Sequence, residues 1–129
     1  MAVIFWFSSA GHEVSSGQSE GIIASVQQLT GVAPPETLVR KMAHFTLYFS
    51  LGAALVATLH SYNMPRRRTL IVAILIAAAY AMTDELHQLF VPGRSGEVRD
   101  VLIDSTAGIC GILIAHYIYS KHILRKSIK

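Results

Sequence analysis

The chain has 129 residues, 52% of them hydrophobic and 15% charged, with a mean hydropathy of +0.44; soluble domains carry about a quarter charged residues, so an ordinary soluble domain is excluded and one multi-pass membrane domain is indicated. The net charge of +3 does not indicate nucleic acid, because the basic residues gather at loop and tail positions with no aromatics interleaved. The single cysteine, Cys110, excludes an internal disulfide, and its setting beside Gly108 and Gly111 suits a small residue at a helix contact better than a reactive thiol.

The chain opens with "MAVIFWFSSA", apolar from Ala2 to Phe7 with Trp6 as an interfacial anchor. This is about half the ~20 residues that a span needs, and it lacks the basic n-region of a signal peptide. Residues 1–10 therefore read as the outer end of a short or truncated transmembrane helix that begins before Met1. Residues 11–36 are rich in Gly, Ser and Gln, as loops are. Within them Ile22, Ile23, Val26 and Leu29 recur at helical spacing, which predicts a short amphipathic helix along the membrane surface, closed by Gly31 and Pro34-Pro35; a solvated loop is the alternative. Three apolar segments follow, Thr37 to His60, Thr69 to Phe90 and Arg99 to Ser120, each long enough for the ~30 Å hydrocarbon layer at ~1.5 Å per residue. The tail is 121–129. The expected fold is all-α: an integral membrane helical bundle with three full spans and a partial one, in a single domain.

Arginines 66–68 join the first two full spans, and Lys121, Arg125, Lys126 and Lys129 crowd the tail, so both are expected in the cytoplasm. The loop around residue 90 then lies outside. All eight acidic residues fall on that outer side or at its membrane boundary, where Arg40, Lys41, Arg94 and Arg99 are exceptions to the basic bias. His60, His116 and His122 fall at the opposite helix ends and read as interfacial. Tyr62, Tyr117 and Tyr119 read as interfacial aromatics, and Gly108 and Gly111 as residues that let helices approach closely.

The outer helix ends carry the chemistry. Lys41, His44 and Tyr48 lie on one helical stripe. Asp84, His87 and Gln88 share a face of the next helix with Glu85 one step round, and Arg99 and Asp100 open the last, with Asp104 a turn deeper. Ionisable groups cost several kcal/mol each in hydrocarbon, so they must pair and face the bundle interior or a wet cavity. A structural ion-pair network would explain them blandly; their density favours a site. His44, Asp84, His87 and the carboxylates near them could offer mixed nitrogen and oxygen donors to a metal, yet the spacing matches no strong zinc signature. Ser95 is a nucleophile by proximity only.

"KMAHFTLYFSLG", "TDELHQLFVPGRSGEVRDVLIDSTAGICG" and "IFWFSS" resemble the VanZ-like family of small bacterial membrane proteins, over about Met1 to Gly111. The resemblance implies a four-helix pattern and a polar motif at Lys41, His44, Tyr48, Asp84, Glu85, Gln88, Arg94, Asp100 and, more loosely, Asp104, where many relatives have Asn. The family's founding member is associated with low-level resistance to the lipid-tailed glycopeptide teicoplanin; no reaction is firmly attached to the family.

The expected function is therefore a multi-pass protein of the bacterial cytoplasmic membrane, its C-terminus cytoplasmic. Its outer cup would bind a membrane lipid, a lipid-linked envelope precursor or a lipidated glycopeptide. Lys41, Arg94 and Arg99 would take an anionic head group, Asp84, Glu85 and Asp100 would orient them and bind ligand hydroxyls or amines, and Tyr48, Gln88 and Asp104 are further ligand-binding candidates. The alternative is a hydrolase or transferase acting on a lipid or isoprenoid phosphate, metal-dependent or not, with His44 or His87 carrying protons and Asp84 or Glu85 orienting them or holding the metal. A transport path in a chain this short would call for a homo-oligomer.

Overall fold

The computed structural model describes residues 12–90 and 97–127; among them every regular element is a helix. In chain order these are α1 (His12–Thr30), α2 (Glu36–Ser61), α3 (Arg66–Gln88) and α4 (Val98–Ser127). Three helices, Glu36–Ser61, Arg66–Gln88 and Val98–Lys121, are long and apolar enough to cross a membrane. The expected partial span 1–10, with Trp6, lies outside the described residues.

Backbone chemistry sets the boundaries. Gly31 ends α1 at φ 77, its N–H donating to the Gln27 carbonyl, a left-handed conformation that glycine enters at no steric cost. Pro35 and Pro65 precede the first residues of α2 and α3, where a missing N–H costs nothing. Between α2 and α3 the chain reverses through Asn63 at φ 55; asparagine tolerates that region because its amide can bond locally. Inside α3 the buried hydroxyl of Thr69 donates to the Met64 and Pro65 carbonyls, 3.3 Å each. The α1 helix is longer than the short amphipathic stretch expected, and α4 continues past Ser120 to Ser127.

The bundle is stacked in layers along its length. α3 presents a ridge of alanines, Ala73, Ala77 and Ala81, all buried, at the i, i+4, i+8 spacing that keeps one face of a helix in line. Ala81 packs with Tyr48, Leu51 and Ala107 in one layer, and Ala73 and Ala77 with Val56 and Ile112 in the next. α2 and α4 approach almost backbone to backbone. A Cβ on Gly52 would strike the carbonyl oxygen of Gly108, and one on Gly111 that of Phe49. Both expected glycine contacts are present: on α2, Gly52 faces Gly108 and the Phe49 backbone faces Gly111. Beyond the second layer His60 stacks on Tyr119 at 4.3 Å and on His116 at 5.6 Å. These residues tie α2 to α4 at that end. α1 packs against α2, leaving an open apolar groove of about 540 Å³ lined by Ile22, Val26, Leu38, Met42 and Leu47 among others.

Candidate functional site

The opposite end of the bundle is polar, and its side chains come from all three long helices. Lys41 on α2 is bonded to Asp100 on α4, Nζ to Oδ1 at 2.8 Å. One turn further in, Nδ1 of His44 lies 3.4 Å from Oδ2 of Asp104. From α3, Asp84 enters the same depth: His44, Asp84 and Asp104 each offer one ligand atom, and the three atoms lie within 4.8 Å of one another. The two carboxylates are buried, Asp84 at 2% exposure and Asp104 at 4%.

This convergence follows from helix geometry. Lys41 and His44 are three residues apart, Asp100 and Asp104 four, so each pair projects from one face, and the close α2–α4 approach brings the two faces together. Asp100 also sits in the first turn of α4, where the helix dipole favours a carboxylate. Tyr48 is fully buried just below, stacked 6.5 Å from His44 and tilted 6.3 Å from Tyr80. Its hydroxyl faces Asp84 and Asp104, yet among the described residues neither that hydroxyl nor either carboxylate oxygen of Asp84 has a partner in full hydrogen-bond geometry.

Above the cluster a small cleft of about 20 Å³ is lined by Arg40, Lys41, His44, Gln88, Asp100, Ile103 and Asp104. That is room for about one water or one monatomic ion. The Lys41 and Asp100 side chains remain 35% and 24% exposed, so their pair is open to exchange with a ligand.

Of the expected site residues, Lys41, His44, Asp84, Gln88, Asp100 and Asp104 are brought together, with Tyr48 beneath them. Glu85 is buried and does not line the cleft; its carboxylate accepts the backbone N–H of Glu97, fastening the start of α4 to the end of α3. His87 is half-buried and lies outside both the cleft lining and the three-residue cluster. Arg99 is exposed and borders a separate apolar groove with Phe45, Leu102 and Thr106. Arg94 and Ser95 lie outside the described residues. Arg40, which borders the cleft, was not among the expected site residues; its only signal was a cation against the basic bias beside Lys41.

A family model described as VanZ/LLP1 matches residues 1–120. No curated protein and no solved structure matches the chain.

Proposed function

This chain belongs to the VanZ/LLP1 family, and on that premise we propose that it is a multi-pass protein of the bacterial cytoplasmic membrane whose polar end faces outward and binds a lipid-linked or lipidated ligand, influencing glycopeptide (teicoplanin-type) susceptibility or envelope homeostasis. The observation that carries this reading is the pairing of an exchangeable cation site with an apolar groove on the same turns of α2. Arg40, Lys41 and His44 line the cleft, while Leu38, Val39, Met42 and Ala43 line the groove toward α1. A ligand with an anionic head and a hydrocarbon tail meets both kinds of surface there. The head group would exchange with Asp100 on Lys41 and gain a charge-assisted hydrogen bond.

The outward orientation is supported by α3. Its first turn holds three arginines and no acid, a placement that opposes the helix dipole. Helix stability gives no reason for them there, whereas retention on the cytoplasmic side does. Alkaline phosphatase fused after Lys129 is expected to be inactive, and fused within residues 91–96 to be active.

The binding test uses protein in nanodiscs and a polyprenyl diphosphate as probe. Lys41→Gln should change the melting temperature little, because a half-exposed ion pair contributes under about 1 kcal/mol. It should weaken probe binding roughly tenfold, the equivalent of about 1.4 kcal/mol. Equal binding by wild type and Lys41→Gln, or no co-purifying lipid by native mass spectrometry, would remove the proposal.

One observation favours a second reading, an enzyme acting on a lipid or isoprenoid phosphate. His44 is held beside one buried carboxylate, Asp104, with another, Asp84, in reach, as a proton carrier and its orienting group are arranged. In this reading His44→Gln abolishes turnover of the polyprenyl diphosphate while Glu85→Gln lowers stability more than turnover, since Glu85 holds the Glu97 amide.

A further inference from the structure

We propose that His44, Asp84 and Asp104 form a binding site for one divalent transition-metal ion, zinc or manganese in type, at the inner end of the polar cleft. The inference goes beyond ligand capture and does not depend on it, because its readout is the ion itself.

Charge is the first argument. Two carboxylates, 2% and 4% exposed, converge with an imidazole inside a span, and buried charges are retained where they are paired or where they coordinate metal. The nearest ammonium, that of Lys41, is engaged with Asp100. His44 reaches Asp104 only at 3.4 Å, longer than an ordinary N–H···O bond of about 2.7–3.2 Å. Among the described residues neither oxygen of Asp84 has a partner in full hydrogen-bond geometry, although the Tyr48 hydroxyl faces it. A dication would neutralise both carboxylates at once, with neutral imidazole as the third donor.

Geometry is the second argument. Donors at about 2.1 Å from a tetrahedral ion lie about 3.4 Å from one another, and 3.4 Å is the separation between His44 Nδ1 and Asp104 Oδ2. The third donor lies within 4.8 Å of both, inside the reach of a carboxylate rotation. Imidazole selects for zinc and other transition ions, and carboxylate for manganese and magnesium; the mixture points to zinc or manganese rather than magnesium or calcium. Three protein donors would leave further positions open toward the cleft, which has room for about one water. Sequence spacing conceals such a site because its donors come from three different helices.

The test is elemental analysis of the purified full chain, exchanged against zinc, then manganese, then magnesium, with melting curves before and after chelation. Wild type should retain about one zinc or manganese per chain, melt lower after chelation, and recover when that ion is returned. His44→Gln and Asp84→Asn should each weaken retention by at least about tenfold, given that even an outer-shell change costs that much. His60→Gln, at the other end of the bundle, should retain the ion as wild type does. The proposal is overturned if wild type holds neither ion and melts the same with and without them, or if both site variants retain metal as wild type does. Binding of the polyprenyl diphosphate by metal-free protein would leave ligand capture standing while the ion site is judged on its own readout.

Discussion

Replacing Gly111 by alanine should lower the melting temperature of the purified protein more than alanine at Gly108, while alanine at Gly21 leaves it unchanged or raises it. The order follows from what the added Cβ meets. At Gly111 it strikes the backbone carbonyl of Phe49, and at Gly52 that of Gly108, and a helix backbone has no rotamer by which to yield. α2 and α4 must then move apart, which loosens the layers built on Tyr48, Leu51, Ala107 and Ile112. Overpacking of a filled interior costs about 1–3 kcal/mol, and occasionally more. The gain in helix propensity from glycine to alanine, up to about 1 kcal/mol, offsets only part of that. At Gly108 the new atom meets the Ala77 Cβ at 3.2 Å, a contact that a small shift relieves. At Gly21 nothing lies within 4 Å, so propensity alone acts. Thermal unfolding in one detergent, followed by helical circular dichroism, checks the series. A Gly111→Ala protein as stable as Gly108→Ala would mean that α2 and α4 are not in backbone contact.

The same contact shows which features the chain betrays locally. Gly108 and Gly111 stand near each other in an apolar run, a pattern with a direct packing meaning in membranes. Gly52 is a lone glycine in α2, and only the facing helix gives it significance. The span positions were legible because hydropathy is a sum over neighbours, and the breaks because Pro35, Pro65 and Gly31 act on their own backbone. The site divides similarly. Lys41, His44, Asp84, Asp100 and Asp104 were visible from helical spacing, since groups on inner faces at similar depth must meet. His87 shares a helix end with Asp84 yet stays out of the cluster, and Glu85, one step from it, is bonded to the Glu97 amide instead. Rotation of α3 about its own axis separates these fates, and that rotation is set by the alanine ridge packing on α2 and α4, a long-range property. Arg99 illustrates the converse: adjacent to Asp100 in sequence, it projects about 100° round the helix and borders a different groove.

Asp84→Asn should raise the stability of protein stripped of divalent ions and, in cells, abolish the effect on glycopeptide susceptibility proposed above. Asp84 is 2% exposed, and among the described residues neither oxygen has a partner in full hydrogen-bond geometry, though Asp104 and the Tyr48 hydroxyl share its setting. Two buried carboxylates, Asp84 and Asp104, face one another there. Asparagine keeps the shape, removes one of the two facing carboxylates and offers N–H donors to Asp104, a gain of about 1.5–3 kcal/mol, the scale of a hydrogen bond to a charged group. Stability gained by removing a strained polar group is the usual mark of a residue retained for function. Adding zinc or manganese should reverse the sign. Wild type then gains by mass action, by about 2.7 kcal/mol at an ion concentration one hundred times the dissociation constant, whereas the variant, having lost a donor, gains little. Two melting curves per protein, chelated and metal-loaded, therefore cross if Asp84 is a ligand. If Asp84 serves only to lock the helices together, Asp84→Asn melts below wild type under both conditions, and a role for this carboxylate beyond the fold is lost with that result.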